Sequence, residues 1–436
     1  MTGQNIRTNF RAMKQYLLLI LLFIFLRTSS QSLYFPPLTG NTWDTMSPAR
    51  LGWCQSSIDS LYSYLEQTHA SAFMVLKDGK IVLEKYFGTF TQDSIHYWAS
   101  AGKSLIGTLT GIAQEKGLVD INHSVSSYLG NGWSAAPTAK ESAITLKHLL
   151  TMTSGLDDKP ASPCDNESPQ ASCLQYLTDT SQRWAYHTGA YQQLANVLST
   201  ASGQNINTYT NSNINNRIGM TGLWVNGVYF SKTRSMARFG LLALNKGVWN
   251  SDTLLHDAAY WNAMTNTSQP YNQSYGYLWW LNGKSSFMSP GLQFIFNGSL
   301  IPKAPADMFA ALGKNDQKIY VVPSQNLVVV RTGESAYGVA LAFSPFDDLL
   351  WGKIDSLGYK CSYTFNGNGN WSDANNWANK SIPPSILDKE GIITIMPVVG
   401  GECILDVPQT ITQQTNLVIP PNTKFSILGN LTITQH

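Results

Sequence analysis

Two hairpin signals at opposite ends of a long helical stretch limit the fold of this chain more than any other feature. Across residues 71–87, apolar and polar residues alternate on either side of Asp78-Gly79. The glycine there tolerates the positive φ of a tight turn. Two β-branched runs, 318–322 and 327–331, flank Pro323-Ser324-Gln325-Asn326 and read as a second hairpin. Between the hairpins the spacing is helical. Leu105, Ile106, Leu109 and Ile112 recur on one face across 100–115, which Gly117 stops, and 236–244 is a second clear helix. Residues 344–357 read as a closing amphipathic helix. Strands at both extremities with helices between predict an α/β (α+β) fold, an antiparallel sheet built from the two ends with helices packed on it.

At 436 residues, 43% hydrophobic and 13% charged, the chain suits two domains with a large core. Its net charge is +2 and no run of Lys or Arg tracks a phosphate backbone, which argues against a nucleic-acid partner. Composition changes after Tyr359. Asn366-Gly367-Asn368-Gly369-Asn370-Trp371 and Asn375-Asn376-Trp377 favour turns, and 392–395, 417–419 and 431–434 read as short strands. Residues 361–436 are therefore read as a small all-β accessory domain following a main domain over 32–358. Its tryptophans fit a core better than a sugar-stacking surface.

Residues 1–31 read as an export signal. Arg7, Arg11 and Lys14 precede an apolar run, 16–26, and small polar residues follow. The run is 11 residues long, too short to span a bilayer, and no other segment is a candidate span, so an integral membrane protein is not expected. The expected location is periplasmic or extracellular. Export admits disulfides, and the five cysteines leave at least one unpaired. Cys164 with Cys173 and Cys361 with Cys403 are the expected pairs, leaving Cys54 free. No histidine stands at metal-ligand spacing to these cysteines or to another histidine, so no metal and no cofactor are expected.

The chemistry centres on Ser100-Ala101-Gly102-Lys103. A serine hydroxyl is a poor nucleophile until a neighbour takes its proton. Residues i and i+3 share a helix face, which holds the amine against the hydroxyl, and a helix N-terminus favours the neutral amine. There is no Gly-x-Ser-x-Gly elbow for an α/β-hydrolase mechanism.

Three further stretches carry a resemblance. His148-Leu149-Leu150-Thr151-Met152-Thr153-Ser154-Gly155-Leu156, Arg234-Ser235-Met236-Ala237-Arg238-Phe239-Gly240 and Tyr275-Gly276-Tyr277-Leu278-Trp279-Trp280 resemble signatures of the serine β-lactamase-related family. That family includes class C β-lactamases, penicillin-binding D-alanyl-D-alanine peptidases, family VIII esterases and 6-aminohexanoate-dimer hydrolases. The match runs over about 42–350 and is nearest in flavour to the last two groups. It implies a β-lactamase/transpeptidase-like sheet with a helical subdomain. It also implies a second catalytic motif, best matched by Tyr186-His187-Thr188, where Tyr186 relays a proton if the nearby ammonium lowers its pKa. Thr188 replaces the usual Asn. The third motif is best matched by Gly313-Lys314-Asn315-Asp316-Gln317. Lys314 is placed at the family's cation, Asn315 at its hydroxyl residue, and the Gln317 N–H beside that of Ser100 in the oxyanion hole. Asp316 replaces a glycine and is expected to narrow the approach to the cleft and repel acidic substrates. Tyr277, Trp279 and Trp280 are candidates for the acyl-pocket wall, with Trp279 assigned to substrate and at least one of the tryptophans expected in the core. His187 is expected to be structural or loop-lining.

The expected activity is acyl-enzyme hydrolysis of a small ester or linear amide, ranked above D-alanyl peptides and β-lactams. The alternative is a catalytically weak module that binds cell-wall peptides or glycans, with the C-terminal domain as anchor. The departures at Thr188 and Asp316 motivate it.

Overall fold

The computed structural model describes residues 33–339, 341–358, 361–387 and 391–434; the expected export signal lies outside the described residues. The Asp78-Gly79 hairpin forms from Ala70–Lys77 and Lys80–Tyr86, with φ of 52° at Asp78 and 81° at Gly79. The distal hairpin pairs Gln317–Val322 with Leu327–Gly333. The two hairpins then meet: Ala70–Lys77 runs antiparallel to Leu327–Gly333, with Val75 opposite Val329. The sheet has six strands, in the order Lys80–Tyr86, Ala70–Lys77, Leu327–Gly333, Gln317–Val322, Phe309–Gly313, Trp280–Leu281, and every neighbouring pair is antiparallel.

Helices cover both faces, which is why the central strands read as unbroken apolar runs. Thr233–Leu244 lies over Ile319 and Val328, so close that a Cβ on Gly240 would come within 2.5 Å of Val328. Tyr320, next to Ile319 and so on the opposite face, meets Trp351 of Pro345–Asp355 at 5.5 Å between ring centroids. Val328, Val329 and Val330 are fully buried between these layers, each contributing about 1.5–3 kcal/mol. Gly102–Glu115 is buried from Gly102 to Ala113, and its Thr108 and Thr110 hydroxyls are satisfied by the carbonyls of Ser104 and Ile106.

Beyond Cys361 the short strands form three parallel sheets. Cys361–Phe365, Gly391–Ile395 and Thr415–Val418 stack on one side. Gly369–Asn370, Glu402–Leu405 and Lys424–Ile427 stack on the next. Ile386–Leu387, Gln409–Thr412 and Leu431–Thr434 form the last. The chain visits the three in turn, so this region is a three-sided parallel coil. Phe365, Ile393, Ile395, Leu405 and Ile411 fill it. Trp371 and Trp377 lie in the same core, edge to face at 4.6 Å, and offer no surface to a sugar.

Cys164 and Cys173 are joined as expected. The other pairing is corrected: Cys361 is bonded to Cys54, and Cys403 is the free cysteine. Cys54 caps the Gln55–Gln67 helix and donates its N–H to Leu357 O, so the chain leaving the closing helix runs directly past it. Cys403 points into the coil, where burial pushes its thiol up to about 12. Separation along the chain misled here because the sheet joins the chain's two ends.

Candidate active site

Ser100 lies in a short 3-10 turn, Ala99–Ala101, directly ahead of the Gly102–Glu115 helix. Trp98 anchors that turn: its N–H donates to Tyr229 O (2.8 Å) and its indole Nε1 to Ser231 Oγ (2.7 Å). Ala99 then takes φ 47°, a left-handed conformation that costs a residue with a Cβ about 1–2 kcal/mol. Strain of this kind is held only where the surroundings over-determine it.

Lys103 Nζ donates to Ser100 Oγ at 3.0 Å and to Thr188 Oγ1 at 3.2 Å. It is 2% exposed and lies over the Tyr191 ring at 4.2 Å and the Tyr186 ring at 4.8 Å. Burial pulls its pKa down to about 7; Glu167 opposes the shift and Lys314 adds to it. An amine in that range is substantially neutral at physiological pH, with a lone pair available for a hydroxyl proton.

Tyr186 stacks on Trp280 (5.7 Å) and is hydrogen-bonded to Ser100. Its pKa differs from expectation. Burial raises it, and the bonds to Ser100 and Trp280 offset only part of the rise. Tyr186 is therefore a phenol, and Lys103 is the group able to receive a proton. Thr188 opens the helix Thr188–Ser202, which His187 caps by accepting the Ala190 N–H at its Nδ1. Burial lowers the His187 pKa to about 4, in keeping with a structural role.

The loop closed by Cys164–Cys173 supplies groups that the sequence pattern did not reveal. Asn166 Oδ1 accepts the Thr188 N–H (3.1 Å), and its Nδ2 donates to Tyr186 O (2.9 Å), so one side chain clamps both sides of the second motif. The next residue, Glu167, meets Lys314 with 3.3 Å between Oε1 and Nζ. No periodicity marks these residues; the pair of flanking cysteines was the only available hint.

The third-motif residues turn different ways. Gly313 lies against the Ser100 turn, where an added Cβ would come 2.4 Å from Trp98 O and 3.0 Å from Ala101 N. Lys314 lines the cleft. Asn315 donates to Tyr97 Oη at 2.7 Å and lines neither cavity at Ser100. The Gln317 side chain lines neither cavity at Ser100: it is fully buried, and its amide donates to Asn315 O and Gly333 O, while its backbone pairs with Gly313 at the end of the hairpin.

Asp316 does not narrow the cleft. It is buried at 3.2 Å from Lys318, accepts from Ser344 Oγ and the Ala336 N–H, and is held below the ordinary carboxylate range by Lys318 against the upward push of burial. Left-handed φ at both Asn315 and Asp316 turns its side chain inward. Trp279 is also away from the site, stacked on Phe239 and edge-on to Phe309 in the core. Leu278, with φ 61°, breaks the expected strand ahead of it, and Trp280 is the tryptophan that meets Tyr186.

Two cavities open on Ser100, one of about 570 Å³ and one of about 200 Å³. They share Ser100, Thr188, Glu167 and Lys314.

A model of the beta-lactamase family matches residues 59–342. An uncharacterized protein of Alkalihalophilus pseudofirmus is 21% identical over 314 residues, covering 63% of this chain and 86% of its own length. A putative beta-lactamase from Bacteroides dorei superposes with a TM-score of 0.55 at 16% identity, over 70% of this chain and 99% of that one. A putative 6-aminohexanoate-dimer hydrolase from Bacillus anthracis gives 0.54 at 19% identity, over 75% and 88%. At these identities the two structures speak to fold alone.

Proposed function

The chain belongs to the beta-lactamase family, and on that footing we propose that it is an exported serine hydrolase that forms an acyl-enzyme at Ser100. One observation carries the reading: a buried Lys103 amine, its pKa lowered to about 7, lies 3.0 Å from the Ser100 hydroxyl. Neutral Lys103 takes the Ser100 proton as Oγ bonds to the carbonyl carbon of an ester or small linear amide. The carbonyl oxygen takes the negative charge, which two backbone N–H groups stabilise. The first is that of Ser100. The second is assigned to Lys314, because it follows Gly313, whose backbone abuts the nucleophile turn. Tyr186 passes its phenolic proton to the departing oxygen or nitrogen as the carbonyl–leaving-group bond breaks, and recovers a proton from Lys103. Water then attacks the acyl carbon, gives its proton to the same relay, and releases the acid and Ser100.

Thr188 offers Lys103 an oxygen acceptor but has no amide donor for a β-lactam side chain. That supports esters and linear amides ahead of D-alanyl peptides, with β-lactams last. The inward turn of Asp316 removes one of the two departures that motivated a purely binding role. The proposed catalytic unit is 32–358, with 361–436 as an accessory unit disulfide-bonded to it.

A fluorophosphonate probe tests the reading. Labelling of the folded wild type that disappears in Ser100→Ala supports it, whereas a folded wild type that takes no label overturns it. Nitrocefin assayed beside a short-chain p-nitrophenyl ester then orders the substrates, and faster nitrocefin turnover would reverse the ranking.

A further inference from the structure

The charged side chains lining the two cavities at Ser100 are Lys103, Asp158, Glu167 and Lys314, among the described residues. None of them offers a substrate an uncompensated charge. Lys103 is brought close to neutrality by burial. Asp158 is paired with Arg183 at 2.5 Å. Lys314, which lines both cavities, faces Glu167 at 3.3 Å. That last pair borders both cavities at once, so a substrate seated in either cavity lies beside it. Backbone restraint holds Glu167 there: the loop is closed by Cys164–Cys173, and the preceding residue, Asn166, is tied to Tyr186 O and the Thr188 N–H.

The larger cavity matches this balance. Its lining combines apolar Ile106, Ile206 and Val228 with the neutral amides of Gln192, Asn196 and Asn226. Such a lining takes an aliphatic or aromatic arm and hydrogen-bonds an uncharged polar group on it, but supplies nothing for an ion. A substrate carboxylate that approached Lys314 would meet Glu167 beside it and gain little from the cation.

Resting on the reading of Ser100 as the acylated nucleophile, we infer that Glu167 is a specificity-determining residue. By masking Lys314, it restricts the site to uncharged esters and amides and turns away substrates that carry a carboxylate. Both members of the pair are about half exposed, so solvent weakens the effect well below that of a buried charge, and a selectivity change of about 10-fold is the expected size.

The test compares kcat/KM for a neutral butyrate ester with that for the same alcohol's hemisuccinate, whose acyl arm ends in a carboxylate. Wild type favours the neutral ester. Glu167→Gln is expected to narrow that preference by about 10-fold at low ionic strength, with the gain shrinking in high salt. Glu167→Gln/Lys314→Met, which leaves no cation to expose, returns the preference toward wild type. An unchanged ratio in Glu167→Gln overturns the inference, as does a narrowing that persists in the double variant. If wild type labels at Ser100 and cleaves the neutral ester while the ratio ignores Glu167, this inference alone fails. If wild type neither labels nor turns over either ester, the hydrolase reading fails and takes the inference with it.

Discussion

Lowering the pH should switch this site off through Lys103, with a midpoint near neutrality. The amine acts only when unprotonated, and burial has brought its pKa from 10.5 to about 7. About half the molecules are competent at pH 7, and about one in a hundred at pH 5. kcat/KM should therefore fall about 50-fold between those values, approaching tenfold per unit at the acid end. The groups facing the amine are chiefly uncharged. Ser100 and Thr188 supply hydroxyls, Tyr186 and Tyr191 supply phenols whose pKa values burial raises, and the nearby charges are Glu167 and Lys314. His187, lowered to about 4, stays neutral throughout the window. The assay is kcat/KM for a neutral ester from pH 5 to 9, followed by acid release at constant ionic strength. Glu167 raises the Lys103 pKa and Lys314 lowers it. Glu167→Gln should therefore move the limb to lower pH and Lys314→Met to higher pH. A flat profile, or an acid limb centred near 4, would refute the assignment of Lys103 as the base.

Lys103→Met should abolish fluorophosphonate labelling yet stabilise the fold. The folded state gives up a proton that the unfolded chain keeps up to pH 10.5, so wild-type stability rises with pH between about 7 and 10.5. The Met variant should gain at most about 5 kcal/mol near pH 6, an advantage that shrinks as the pH rises from about 7 to 10.5 in urea titrations. Gly313→Ala should lower kcat by at least about 10-fold with a smaller change in KM, because its Cβ would press to 2.4 Å from Trp98 O and displace the strand from Ser100. Cys54→Ser/Cys361→Ser opens a loop of 307 residues and should cost up to about 5 kcal/mol of stability, seen as a lower Tm, while ester turnover per folded molecule is unchanged.

The architecture was legible wherever a local pattern determined it. Asp78-Gly79 marked its hairpin, the 100–115 periodicity marked the buried helix, and strands at the two extremities implied that the ends must meet. Ser100 and Lys103 were legible because three residues of helix bring them together whatever the rest of the chain does. What stayed hidden depends on contacts between distant segments. Cys54 finds Cys361 because the closing helix returns the chain past the Gln55–Gln67 helix, a proximity that only the finished sheet creates. Asn166 and Glu167 sit in a loop with no periodicity of its own. Trp279 and Trp280 do face different ways, but strand alternation is not the cause: a left-handed Leu278 breaks the expected strand, which begins only at Trp280. In the C-terminal coil, strands of two to five residues carry no mark of which strand they pair with.

The third-motif hairpin shows why residue type alone misassigned its side chains. Asn315 and Asp316 looked like losses from a substrate-binding motif, a missing hydroxyl and a glycine replaced by an acid. Both adopt left-handed φ, which Asn and Asp tolerate better than most residues. Their side chains then work away from the cleft. Asn315 ties the turn to Tyr97, and Asp316 joins Lys318 in a buried group with Asp347 and Tyr320. Arg331 reaches the same turn from the neighbouring strand and donates to the carbonyls of Asn315 and Asp316. A buried ionic group of this kind is a weak source of stability, because desolvation offsets most of its attraction. Its directional bonds nevertheless leave the turn few alternative positions. The hairpin is thus held by Tyr97 on one side, by the ionic group from within, and by Gly313 against the Ser100 turn. Asn315 and Asp316 maintain the backbone of the motif, and Lys314 alone among the side chains of residues 314–317 lines the cavities at Ser100.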